Sequence, residues 1–171
     1  MANVAISSLP TGTATGGEIF VGNQSGTTKA LSLGMDAMSD YETGDWTPTL
    51  YGATTAGTTT YTTQTGNYEK IGGLVYVSFV LAWTNLTGTG GARIGGVPFT
   101  AASLTGQPRH AMSASFYTGL SLPNTNLSGY IQESTSHIEL LSASTTAGAS
   151  VDLQSEITVA GEIYGTLLYL A

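Results

Sequence analysis

The chain has 171 residues, with 11 Asp and Glu against 4 Lys and Arg, a formal net charge of −7 and no cysteine. A nucleic-acid groove needs clustered cations to neutralise phosphate, so that partner is excluded, and without cysteine there is neither a disulfide framework nor a thiolate metal site. Charged residues are 9% of the sequence against about 25% in an average soluble protein, and one core is expected for a chain of this size.

The opening MANVAISSLPTG lacks a basic region followed by an unbroken apolar run and is not read as a signal peptide. No stretch is apolar for long enough to span a bilayer as a helix, so no membrane partner is expected. The expectation is a protein assembled in the cytoplasm.

Residues 1–43 read as an arm. One short β-like run, Glu18-Ile19-Phe20-Val21, lies between the turn signals Gly16-Gly17 and Gly22-Asn23. There are too few apolar groups here for a core, and ordering such a segment costs roughly 1–2 kcal/mol per residue, so it must gain order by docking. Over 33–42, Asp36 as a cap with Met35, Met38 and Tyr41 at spacings of three predicts one helical turn, the methionines packing into a neighbouring groove.

Residues 44–171 read as one β domain. Residues 45–51 predict a strand that Pro48 marks as an edge, and 61–70 a strand pair turned at Gly66-Asn67. Residues 74–83 give the clearest strand. Leu74, Tyr76, Ser78, Val80 and Ala82 lie on one face, Val75, Val77, Phe79, Leu81 and Trp83 on the other, and both faces are largely apolar. An ordinary sandwich strand shows one face to water, so this one has to be covered twice.

Further strands follow at 92–97 and 110–118, a hairpin at 127–133 and 137–142 across Ser134-Thr135, a short run at 151–153, and a last strand at 161–170, again apolar on both faces. About eight short strands separated by Gly, Pro, Asn and Ser turns predict an all-β sandwich, jelly-roll-like, rather than a βαβ fold. Apolar patches on soluble domains mark contacts. The two double-faced strands therefore nominate Tyr76, Phe79, Leu81, Trp83, Tyr164, Leu168, Tyr169 and Leu170 as an interface between copies.

Chemistry is sparse. His110 and His137 fall in different strands and no Gly-x-Ser-x-Gly elbow is present, so catalysis by either is not expected. Asp36, Asp40, Glu42 and Asp45 lack the spacing and central Gly of a calcium loop and read as a solvated surface. The run GTGGARIGG at 88–96 lacks the helix start and Gly-Lys pair of a phosphate cradle. No cofactor or metal is expected. Glu133, Glu139, Glu156 and Glu162 on late strands keep a carboxylate-based glycosidase as a minor alternative. Trp46, Trp83, Tyr117 and Tyr130, with Asn124 and Asn126, form a second alternative, a sugar-stacking face, against the simpler reading of these aromatics as core.

Two stretches carry a resemblance. Gly44-Asp45-Trp46-Thr47-Pro48-Thr49-Leu50, then Tyr61, Gln64, Gly66, Tyr68, Lys70-Ile71-Gly72 and Leu74-Val75-Tyr76-Val77, resembles a β module of bacteriophage tail-fibre, head-fibre and capsid-decoration proteins. It covers residues 44–100 best, and Asp45 stands where the module commonly has Thr. Ile6-Ser7-Ser8-Leu9-Pro10, then Gly17-Glu18 and its apolar triplet, then Gly26-Thr27-Thr28-Lys29, is similar to a short motif that joins phage appendages to the virion.

The resemblance implies a homotrimer on the virion surface, anchored by Ile6, Leu9, Pro10, Glu18, Phe20, Val21 and Lys29 to the major capsid protein or another virion protein. Within that class the expectation is a non-enzymatic capsid decoration or cement protein, because a single globular domain is small for a tail fibre. The alternatives are a short tail fibre or adhesin bound to host glycans and, behind it, a capsule-degrading hydrolase.

Overall fold

The computed structural model describes residues 18–21, 29–32, 40–121, 126–143, 148–150 and 156–171. Two compact units result, Met1–Asp40 and Tyr41–Ala171. In the first, β1 (Glu18–Val21) pairs antiparallel with β2 (Lys29–Ser32), setting Val21 opposite Lys29 and Glu18 opposite Ser32. The strand expected at 18–21 is present, and its partner is one that the short sequence KALS did not announce. Residues 33–39, most of the expected helical turn, lie outside the described residues. Tyr41 and Glu42, assigned to the end of that turn, instead open a strand, because pairing with Ile71 and Lys70 gives their backbone a full ladder.

The second unit holds β3 (Tyr41–Trp46), β4 (Thr49–Gly52), β5 (Thr59–Ile71), β6 (Leu74–Leu86), β7 (Ala92–Gly95), β8 (Arg109–Leu120), β9 (Leu127–Gln132), β10 (His137–Ala143), β11 (Gly148–Ser150) and β12 (Ile157–Leu170). They form one ten-stranded antiparallel sheet in the order β3-β5-β6-β12-β8-β9-β10-β7-β4, with β11 added on β10. The all-β expectation holds at this level. The path does not divide into the two four-stranded sheets of a jelly roll.

The edge strands β3 and β4 are consecutive in the chain and joined by Thr47 and Pro48 alone. Two outer strands can meet so closely only if the sheet curls back on itself. Proline cannot donate to a ladder, so Pro48 ends one edge strand and starts the other, splitting what the sequence suggested was a single strand over 45–51.

Side chains close the gap that the backbone leaves. Tyr61 Oη accepts the Leu50 amide at 2.6 Å, Thr59 Oγ1 donates to Leu50 O at 2.8 Å, and Gln64 Nε2 donates to Pro48 O at 2.9 Å.

The pair of strands expected over 61–70 is one continuous strand, β5, running through Gly66. Gly66 is there for space. A Cβ on it would collide with the indole of Trp46, its direct cross-strand partner. The tight turn lies instead at Gly72-Gly73, where Gly72 has φ 57°, the left-handed conformation that two-residue hairpin loops require.

Inside the curl, Val75, Val77, Phe79, Leu81 and Trp83 of β6 are 0–3% exposed and pack with Leu50, Ile94, Ile131, Ile138, Leu140, Ile163, Leu167 and Tyr169. The aromatic residues are seated by glycines. Trp83 faces Gly161 and Phe79 faces Gly165 in register, and a Cβ on Gly161 would lie 2.7 Å from Trp83 Cζ2.

Candidate functional site

Side chains alternate faces along a strand, so the residues between the buried ones point out of the curl. Register orders them into rows that cross the sheet. Tyr41, Ile71, Leu74 and Leu170 form one, and Thr43, Glu69, Tyr76 and Leu168 the next. Then come Asp45, Asn67, Ser78, Thr166 and Ser113, followed by Thr65, Val80, Tyr164 and Phe116. Among the described residues, the exposed large hydrophobics are Tyr41, Ile71, Leu74, Tyr76, Phe116, Tyr164, Leu168 and Val159. All but Val159 lie on this face.

The face has two apolar bands with a polar row between them. Tyr164 and Phe116 meet edge to face at 5.7 Å, fixing the second band. In the polar row Asn67 Nδ2 donates to Asp45 Oδ1 at 2.6 Å.

Two hollows open along that row. One of about 390 Å³ is lined by Thr43, Asp45, Asn67, Glu69, Tyr76 and Ser78 among others. The other, of about 210 Å³, is lined by residues including Thr65, Asn67, Ser78, Ser115, Tyr164 and Thr166. They share Asn67 and Ser78. A bulge in β8 contributes to the second: Ser115 is an extra residue between Phe116, which faces Tyr164, and Ala114, which faces Gly165, and its hydroxyl donates to Tyr164 O at 3.4 Å.

The nominated interface residues divide between the two sides of the sheet. Phe79, Leu81, Trp83 and Tyr169 are 3, 0, 2 and 1% exposed and fill this chain's own core. That corrects the expectation that they face another copy, since a pleat sends odd and even positions to opposite sides. Tyr76, Tyr164 and Leu168 are exposed and Leu170 half-buried, all on the outer face. Of the anchoring candidates, Glu18, Phe20 and Val21 lie on β1 and Lys29 on β2, while Ile6, Leu9 and Pro10 lie outside the described residues.

The sugar-stacking set does not assemble. Trp46 and Trp83 are core residues, with the Trp46 indole donating to Asn67 O and Ser78 O at 3.3 Å each and that of Trp83 to Thr158 O at 3.1 Å. Tyr117 packs against the core opposite Ile163. Tyr130 lies under the Arg109 guanidinium at 4.7 Å. Asn124 is outside the described residues and Asn126 is exposed.

Of the catalytic candidates, His137 and Glu139 meet on β10. Glu139 Oε1 takes Arg93 Nε at 2.9 Å and Nη2 at 2.7 Å, with His137 Nε2 at 3.2 Å from the same oxygen. Hydrogen bonding to Glu139 raises the Arg93 pKa, and burial raises that of the neighbouring Tyr51 phenol. Glu133 accepts the Ser103 hydroxyl at 2.8 Å. His110 Nε2 is buried without a hydrogen-bond partner among the described residues, on β8 rather than beside His137.

Of the acidic group, Glu42 and Asp45 point to opposite sides of β3. Glu42 accepts the Tyr68 hydroxyl at 2.6 Å and so raises the pKa of that phenol. Among the described residues no cluster of His, Asp and Glu could hold a metal ion.

Sequence reasoning missed the polar row itself. Alternation groups Ser78 with Leu74, Tyr76, Val80 and Ala82, but only the register of five strands shows that Ser78 and Thr166 line up with Asn67 and Asp45.

No protein-family profile matches the chain, and no curated protein matches it. Among solved structures it is similar to the Dettilon tailspike protein gp208, with a TM-score of 0.53 and 16% identity over 74% of this chain. The matched part is 23% of that protein. The likeness is one of fold, a curled antiparallel β domain.

Proposed function

We propose that the chain is a structural component of a bacteriophage virion appendage, a β domain of tailspike or tail-fibre type that works by adhesion and without turnover. The observation that carries this reading is the shared fold with a tailspike, obtained independently of the two sequence resemblances that point to the same class of particle. The first apolar row of the outer face, around Leu74, supports self-association, with a homotrimer as the expected form, and the hairpin β1–β2 belongs to the segment that would join the particle.

Capsid decoration is the second reading within the class. It rests on the resemblance of residues 44–100, which decoration proteins share with fibres, and on the small size of a single globular domain, whereas the tailspike likeness favours an appendage that contacts the host. Copy number separates the two. In purified virions an appendage protein is expected at a small fraction of the major capsid protein by gel densitometry. A ratio near that of the capsid protein would transfer the assignment to decoration, and absence from the particle would overturn both. Release of reducing ends from a polysaccharide, lost in Glu139→Gln, would replace adhesion by hydrolysis.

A further inference from the structure

The polar row between the apolar bands has the chemistry of a ligand trough rather than of a contact between proteins. Asp45, Asn67, Ser78, Thr166 and Ser113 stand side by side on five adjacent strands, each in direct register with the next. With strands about 4.8 Å apart, the row spans roughly 19 Å. That is long enough for several pyranose rings. Its floor consists of one carboxylate, which accepts, and one amide and three hydroxyls, which both donate and accept. Asn67 is held to Asp45 through its amide nitrogen, which fixes the orientation of its carbonyl oxygen.

The walls are aromatic. Tyr76, 42% exposed, lines one hollow and Tyr164, 39% exposed, lines the other, its ring steadied by Phe116. Flat aromatic faces over a floor of short polar side chains match the two surfaces of a sugar ring, apolar C–H groups on its faces and hydroxyls around its rim. The bulge at Ser115 adds to the concavity at the Tyr164 end, as bulges do beside binding sites.

Two observations choose among occupants. Neither hollow is lined by a Lys or Arg, while Asp45 and Glu69 line the larger one, so an anionic polymer would be repelled. A protein partner seated in the row would bury its carboxylate and amide, whereas interface cores are depleted of charge. The geometry points to a neutral glycan chain lying across β3, β5, β6, β12 and β8, between the Tyr76 and Tyr164 walls. This deepens the adhesion reading by naming the ligand class. The first apolar row, around Leu74, remains available to a second copy.

The test uses the full chain on an array printed with neutral lipopolysaccharide O-chains and uronic-acid-containing capsular polymers. Retention on one or more neutral polymers is expected, with none on the acidic ones. Tyr164→Ala and Asn67→Ala should each weaken that retention at least tenfold. Ser78→Trp, which fills the trough from a partly exposed position, should abolish it, while the circular-dichroism spectrum and sedimentation stay as in the parent. No retention of any neutral polymer overturns the trough, as does a preference for acidic polymers or retention indifferent to all three substitutions. A change of oligomeric state in Tyr164→Ala without loss of retention also overturns it and assigns the trough to a contact between copies. Virion densitometry is independent of every one of these outcomes, so a virion protein that binds no neutral glycan sinks the trough alone.

Discussion

The indole of Trp46 occupies the space that a side chain on Gly66, its direct cross-strand partner, would need. From there its N–H reaches the carbonyl oxygens of Asn67 and Ser78, and its ring meets Phe79 edge to face at 5.8 Å. Edge strand β3 is thereby fastened to β5 and β6 through one buried side chain. Gly66→Ala should therefore cost about 1–3 kcal/mol by overpacking, with a fall in Tm of about 2–4 °C for each kcal/mol. In a double-mutant cycle, truncating Trp46 as well should remove most of that cost. Additive effects in urea denaturation would show that the two residues do not compete for space.

The seam between β4 and β5 depends on side chains where a sheet would ordinarily use backbone. Leu50 is 2% exposed, and its amide donates to Tyr61 Oη. Tyr61→Phe leaves that donor buried without its partner, at a cost of about 1–3 kcal/mol. Hydrogen exchange at the Leu50 amide should accelerate before that of core amides in β6. Unchanged exchange there would mean that the seam is closed by something else.

Tyr169 is 1% exposed and donates its hydroxyl to Phe99 O at 3.0 Å. Burial pushes its pKa from 10.0 to about 12. Because the folded value lies above the unfolded one, the contribution is complete below about pH 10. It is lost between there and about pH 12, as the unfolded chain gives up its proton first. Stability should fall across that window, and Tyr169→Phe should flatten the fall. An identical alkaline profile in the variant would assign the transition to other groups.

Self-association through the first apolar row predicts that the parent chain sediments as an oligomer at micromolar concentration and that Leu74→Asp sediments as a monomer. Leu74 is 42% exposed, so the substitution should leave the fold's stability within about 0.5 kcal/mol. A parent chain that is already monomeric would refute the contact.

By itself the sequence determined the all-β class, most strand positions, and the period-2 alternation of β6 and β12. Those are local matters of turn residues and side-chain spacing. It also showed that both faces of the two strands are apolar. Alternation, however, says only that two sets of residues part company, and the set containing Phe79, Leu81 and Trp83 looked no more interior than the set containing Tyr76.

The tertiary structure decided which set is inside, because that depends on the direction of the curl imposed by joining β3 to β4 through Thr47 and Pro48. It also turned Gly66 from an expected turn into a seat for Trp46, and brought Asp45, Asn67, Ser78, Thr166 and Ser113 into one line. Register couples residues as far apart in the chain as 45 and 166, and no local preference of either one records it.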